Sequence, residues 1–256
     1  MDNDALFTPE IQGTINKYYP YLLEVRKRLL FVASMFIIAG LVGFFYYERI
    51  VTILLNLLDV PGVNVVFTSP FQFFTLAVNS GILVGMAIML PLAYIQLMSF
   101  LKPALKRKEY KLIIGLVPLS IILFTVGFLF GIIIMRFIIT IFYEKSVELN
   151  IGNFLDISLL LSKIVMTGVL MGVAFQFPII MTLLMRLKVV RYKHFSSQRF
   201  LAYALALVFA AFLPPTDILS LVLLTLPLIL LFELTLFLNK VILKSHLIEY
   251  DEDDGK

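Results

Sequence analysis

The basic residues of this chain are partitioned. Of its 21 Lys and Arg, 17 fall in four clusters, at residues 17–28, 102–111, 186–199 and 240–256, and only Arg49, Arg136, Lys145 and Lys163 lie outside them. Long apolar runs separate the clusters. Hydrophobic residues make up 61% of the chain and the mean hydropathy is +0.99, against roughly 45–50% apolar for a soluble domain. A run of ~20 apolar residues crosses the ~30 Å of a bilayer's hydrocarbon. The chain is therefore expected to be an all-α integral membrane protein. Lys and Arg flanking spans stay on the cytoplasmic side, which puts all four clusters and both termini there, with Arg49 and Lys145 outside.

Six spans are predicted: Leu29–Tyr47, Phe71–Leu101, Leu112–Tyr143, Ser158–Met185, Phe200–Leu213 and Ile218–Leu238. Pro91 is the expected kink point of the second. The fifth holds 14 residues, about 21 Å of helix. The sixth is interrupted by Glu233. Short fifth and sixth spans beside a long second and third predict a concave, cupped bundle rather than a cylinder. The expected divisions are a cytoplasmic N-terminal segment (1–28), a six-span membrane domain (29–239) and a cytoplasmic tail (240–256). The acidic end of that tail, Glu249–Asp254, is expected to be disordered. The first 28 residues are polar, so no cleavable leader is expected. No internal repeat is visible.

The composition excludes several chemistries. There is no cysteine, hence no disulfide or thiolate metal site. The two histidines, His194 and His246, lie in basic segments. No His-Glu-x-x-His, Gly-x-Ser-x-Gly or glycine-rich phosphate loop occurs. No catalytic residue, metal or cofactor is expected. The basic residues flank spans and read as contacts to lipid headgroups, with no nucleic-acid partner.

The polar residues in or beside the spans need an explanation, because an ionisable group in the membrane costs roughly 2.5–3.5 kcal/mol on insertion scales. Glu233 either pairs with Lys240 or Lys244 or is simply hydrated, or else it contacts a partner helix or forms a proton-linked site. Gln176 stands ahead of Pro178, which cannot donate to the Ala174 carbonyl. Its amide either satisfies that carbonyl, bonds a neighbouring helix, or forms a polar spot for an inserted peptide. Lys163 is expected to snorkel to the outer interface, and Gln72 and Asn79 to bond across helices. Asp156 and Asp217 sit in outer turns. On the cytoplasmic side, Glu24 and Glu109 are lone carboxylates in basic clusters. Glu24 and Arg28 can balance each other at i,i+4, a pair worth only ~0.3–0.5 kcal/mol. Alternatively, the two carboxylates bind a planar cation, for which a guanidinium is the natural ligand.

Four stretches resemble the TatC family, the multi-span subunit of the twin-arginine protein translocase. They are Leu22-Leu-Glu-Val-Arg-Lys-Arg-Leu-Leu30; Ser69-Pro-Phe-Gln-Phe-Phe74 with Pro91 to Leu105 and Lys108-Glu109; Phe175-Gln-Phe-Pro178; and Leu213-Pro-Pro-Thr-Asp217 with Pro227 and Leu231-Phe-Glu233. The resemblance implies a core receptor in a prokaryotic plasma membrane that exports folded proteins on the proton-motive force. It implies that Glu24 and Glu109, with Arg26, Phe100 and Pro103 in the same stretches, bind the twin arginines of signal peptides. Gln176 and Pro178 would form a polar site on the membrane face. Glu233, Pro215 and Asp217 would belong to a subunit contact or outer loop. Single-span TatA- and TatB-type subunits, and further copies of the chain in a complex, are the implied partners. The chain departs from the family at Gln176, where glutamate is usual, and at Tyr110-Lys111 and Pro214-Pro-Thr-Asp217. The alternative from the residues alone is a small-solute or ion transporter using Gln176, Asn79 and Glu233.

Overall fold

Helices dominate because a segment in hydrocarbon must satisfy its backbone groups internally. The computed structural model describes residues 9–58, 64–66, 68–102, 114–149, 154–186 and 189–251. In chain order the helices are α1 (Pro9–Phe45), α2 (Tyr47–Leu58), α3 (Gln72–Leu101), α4 (Leu116–Glu148), α5 (Ile157–Ala174), α6 (Phe177–Arg186), α7 (Tyr192–Ser197), α8 (Arg199–Ala211) and α9 (Ile218–Asp251). Two short strands, β1 (Asn64–Val66) and β2 (Phe154–Asp156), pair in parallel.

Among the described residues, five stretches are long and apolar enough to cross a membrane: Tyr19–Phe45, Gln72–Phe100, Leu116–Glu148, Ile157–Met185 and Ile218–Val241. A sixth apolar helix, α8, has 13 residues, about 20 Å, and is short as expected. The sixth span is not short. Glu233 does not interrupt α9, whose apolar part runs 24 residues, because the carboxylate has partners on α8. The helix also continues to Asp251, into the stretch expected to be disordered. At the other end α1 begins at Pro9 and passes through Pro20, well before the apolar run. A helix that leaves the bilayer no longer needs apolar residues, so hydropathy marks the span and not the helix.

Close backbone approach holds the spans together. On α1 and α3, a Cβ added at Gly43 would lie 2.7 Å from the Ser80 carbonyl oxygen, and one at Gly81 would lie 2.8 Å from that of Gly40. On α4 and α5, a Cβ at Gly131 would meet the Gly168 Cα at 2.8 Å. Gly81/Gly85, Gly127/Gly131 and Gly168/Gly172 are each four apart, the small-residue spacing that lets membrane helices touch. Large side chains such as Ile133, Phe137, Leu226 and Leu230 remain exposed on the outer faces, where lipid covers them.

The connection between the first two spans holds Glu48, Arg49 and Asp59. It contains α2, whose Leu54 and Leu58 are buried against Leu76 of α3, Ile132 and Met135 of α4, and Leu161 and Ile164 of α5. Burial of each leucine contributes roughly 1.5–3 kcal/mol. The β1–β2 pairing then joins this loop to the one before α5, with Asn64 opposite Phe154 and Val66 opposite Asp156. A second core brings Ile134 and Ile138 of α4 together with Met171, Phe175, Ala210, Leu213 and Leu224.

Candidate functional site

The polar groups gather at separate places. The first lies where the start of the first span meets the end of the second. Glu24, on α1, is exposed, and its Oε1 accepts from Arg28 Nη2 at 2.6 Å and Nε at 3.1 Å. One helical turn sets this i,i+4 pair. Arg28 reaches across to α3, where its Nη1 donates to the Gln96 side-chain Oε1 at 2.9 Å and to the Gln96 carbonyl at 3.1 Å. The Phe100 ring lies one turn beyond Gln96, with the guanidinium carbon 6.0 Å from its centroid, within cation–π range. The structure thus brings Glu24 and Phe100 together through Arg28 and Gln96. Arg26 is exposed on α1. Pro103 and Glu109 lie outside the described residues. Sequence reasoning missed Gln96, although its spacing of four from Phe100 put both on one helix face.

The second place is the break between α5 and α6. Phe175 and Gln176 form a turn, and the Gln176 amide nitrogen bonds the Val173 carbonyl instead of that of Gly172. The side chain replaces the missing donor: Gln176 Nε2 reaches the Gly172 carbonyl at 3.3 Å and the Ser120 carbonyl of α4 at 3.1 Å. Of the expected partners, the neighbouring helix is bonded through Ser120, and the bond to the Ala174 carbonyl is made to Gly172 instead, because the chain tightens ahead of Pro178. Gln176 is only 8% exposed, so its amide points into the protein.

Glu233 accepts from the Tyr203 hydroxyl at 2.6 Å and lies 3.5 Å from Arg199 Nη1. Both of these partners are on α8; pairing with Lys240 or Lys244 was one of the alternatives expected. Asn79 donates to Ser162 of α5. These residues are spread over separate contacts, so Gln176, Asn79 and Glu233 do not converge on one solute site.

The opposite end of the spans carries two capped aspartates. Asp156 starts α5, accepting from the Ser158 and Leu159 amides at 2.9 and 3.0 Å. It also accepts from Thr68 and Gln72, which ties the loop before α3 to α5. The bond from Thr68, then the backbone bond from Leu159, hold its carboxyl below the usual range against some desolvation. Asp217 caps α9 through Ser220. Burial pushes its carboxyl up, but the Ser220 hydroxyl and amide together with the backbone bonds at Asp217 and Leu219 outweigh this, and the group sits low. The Pro214 carbonyl accepts from Thr167, eleven residues past Asp156 and so about 16 Å further along α5. The Pro214–Asp217 turn is therefore drawn inward by the shortness of α8. With Phe142 and the exposed Lys163 it lines an open hollow of about 360 Å³.

Comparison with known proteins agrees with this geometry. The family model for TatC, Sec-independent protein translocase protein, matches residues 20–227. TatCy of Bacillus subtilis (strain 168) is 30% identical over 226 residues, covering 86% of this chain and 87% of the relative. TatC of Aquifex aeolicus (strain VF5) is 28% identical over 228 residues, covering 86% and 93%. A crystal structure of the twin arginine translocase receptor TatC in DDM superposes with a TM-score of 0.75 at 28% identity, covering 85% of this chain and 98% of that one. The chain belongs to the TatC family of Sec-independent protein translocase proteins.

Proposed function

We propose that this multi-span membrane component of a Sec-independent translocase is the receptor for twin-arginine signal peptides, which it binds at its cytoplasmic face through Glu24 and Glu109. One observation carries this reading. The exposed Glu24 carboxylate already holds a guanidinium, in a setting completed by Gln96 and Phe100. Charge-assisted bonds of this kind contribute roughly 1.5–3 kcal/mol each, and a planar fork uses them better than an ammonium does. Glu109 supplies the second carboxylate, and Arg26, exposed on α1, and Pro103 belong to the same signal-binding set. The positive clusters favour a cytoplasmic location for this face.

Single-span TatA- and TatB-type subunits dock on α8 and α9, whose outward residues Leu205, Val208, Leu226 and Leu230 are apolar and exposed. The proton-motive force drives transport, and several copies work together. The short α8 and the inward Pro214–Asp217 turn thin the barrier at this place. The test is export of reporters carrying Arg-Arg or Lys-Lys signals. Glu24→Ala and Glu109→Ala chains insert normally yet lose discrimination between the two signals. Unchanged discrimination in both variants would defeat the assignment.

A further inference from the structure

Arg28 supplies the guanidinium that Glu24 holds at this site. Its guanidinium makes four hydrogen bonds, two to Glu24 Oε1 and two to the acceptors of Gln96. The Phe100 ring stands 6.0 Å away. Carboxylate, neutral acceptors and aromatic face are together what a guanidinium requires. The arginine filling this place comes from the chain itself.

We propose that Arg28 is an internal ligand of the twin-arginine site, and that one guanidinium of an arriving signal displaces it from Glu24 and Gln96. This rests on the receptor reading. Two observations favour exchange over a purely structural role. The acceptors sit on α1 and α3, whose spacing is set independently by the Gly40–Gly81 and Gly43–Ser80 contacts, so they stay in place when Arg28 leaves. The Arg28–Glu24 pair is also partly exposed, at 21% and 45% of the side chains, and such i,i+4 pairs are weak. A released Arg28 turns into the headgroup layer, where a cation is at home. Occupation by Arg28 lowers the affinity for every signal by the fraction of time that the site stands open. Gln96 then becomes a signal-binding residue, contributing two acceptors that an ammonium cannot engage together.

The experiment uses the full chain in lipid nanodiscs and two fluorescent synthetic signal peptides, Arg-Arg and Lys-Lys, with affinity read by anisotropy. Arg28→Gln is expected to tighten both peptides by a common factor of about tenfold, the value for a site open about one-tenth of the time. Arg28→Lys keeps the positive charge and the topology signal but is a poorer internal ligand, and is expected to tighten both about threefold. Loss of repulsion alone would leave Arg28→Lys unchanged, so a gain there supports displacement. Unchanged or weakened binding in Arg28→Lys, with the parent chain binding Arg-Arg normally, overturns the proposal and leaves the receptor reading standing. No binding to parent or variants overturns both.

Discussion

Replacing Gln176 with leucine removes the one side-chain donor that compensates for the break between α5 and α6. The two residues have similar volume, so the cavity contribution is small and the hydrogen bonds decide the outcome. In the parent, Gln176 Nε2 serves the Gly172 carbonyl at 3.3 Å and the Ser120 carbonyl at 3.1 Å. Ser120 lies inside α4, where its carbonyl has a helical donor as well. Gly172 loses its own, because the Gln176 amide has turned to Val173. One buried carbonyl is left unsatisfied, at a cost of about 2 kcal/mol within a range of roughly 1–3. For a chain of this size that is a fall in Tm of roughly 4–8 °C, measurable by thermal unfolding in detergent. A second variant sharpens the test. Pro178→Ala restores a backbone donor and allows regular i→i−4 bonding through 174–178, which returns the Gly172 carbonyl to the backbone. In that background Gln176→Leu is expected to cost less than half as much, a non-additivity typical of residues sharing one network. An unchanged Tm in Gln176→Leu, or the same loss in both backgrounds, would refute the reasoning.

The glycine interfaces predict an asymmetry. Gly131→Ala drives a methyl into the Gly168 backbone at 2.8 Å, whereas Gly168→Ala meets the Phe128 ring at the same distance, and a ring can rotate. Gly131→Ala is expected to cost about 1–3 kcal/mol, with Gly168→Ala clearly milder; equal losses in detergent melts would count against it. Asp156 predicts a pH dependence. Its folded carboxyl titrates below the ordinary 3.8, so its contribution is complete above that value and fades as pH falls through the lower, folded one. Asp156→Ala is thus expected to be less stable than the parent at pH 7, with the gap closing in strong acid; a gap that widens on acidification would contradict the assignment.

Much of the architecture was legible in the residues. Apolar runs marked the spans to within a few positions, except at the start of the first, which begins at Tyr19 rather than Leu29, since hydrocarbon excludes charge whatever the tertiary fold. Glu24 stood out because a lone carboxylate among Arg and Lys is unusual. Other features were less accessible. The helix α2 was hidden by Glu48 and Arg49 at its start, although Ile50, Val51, Leu54, Leu55 and Leu58 carry a helical period. The Gly-x-x-x-Gly pairs were also readable and were overlooked. The β1–β2 pairing was not readable, because three-residue strands 90 positions apart carry no periodicity. Glu233 misled as a helix break: its partners Tyr203 and Arg199 are distant in sequence, and only packing of α8 on α9 brings them together. Gln96 looked like one more polar residue in a span until Arg28 reached it from α1.

The most direct measurement of the central claim is site-specific photocross-linking in native membranes from positions beside Glu24 and Glu109 to an Arg-Arg or a Lys-Lys signal peptide. The account predicts cross-links with Arg-Arg that fade with Lys-Lys. No cross-link to either, from a chain shown to be folded and inserted, would contradict it.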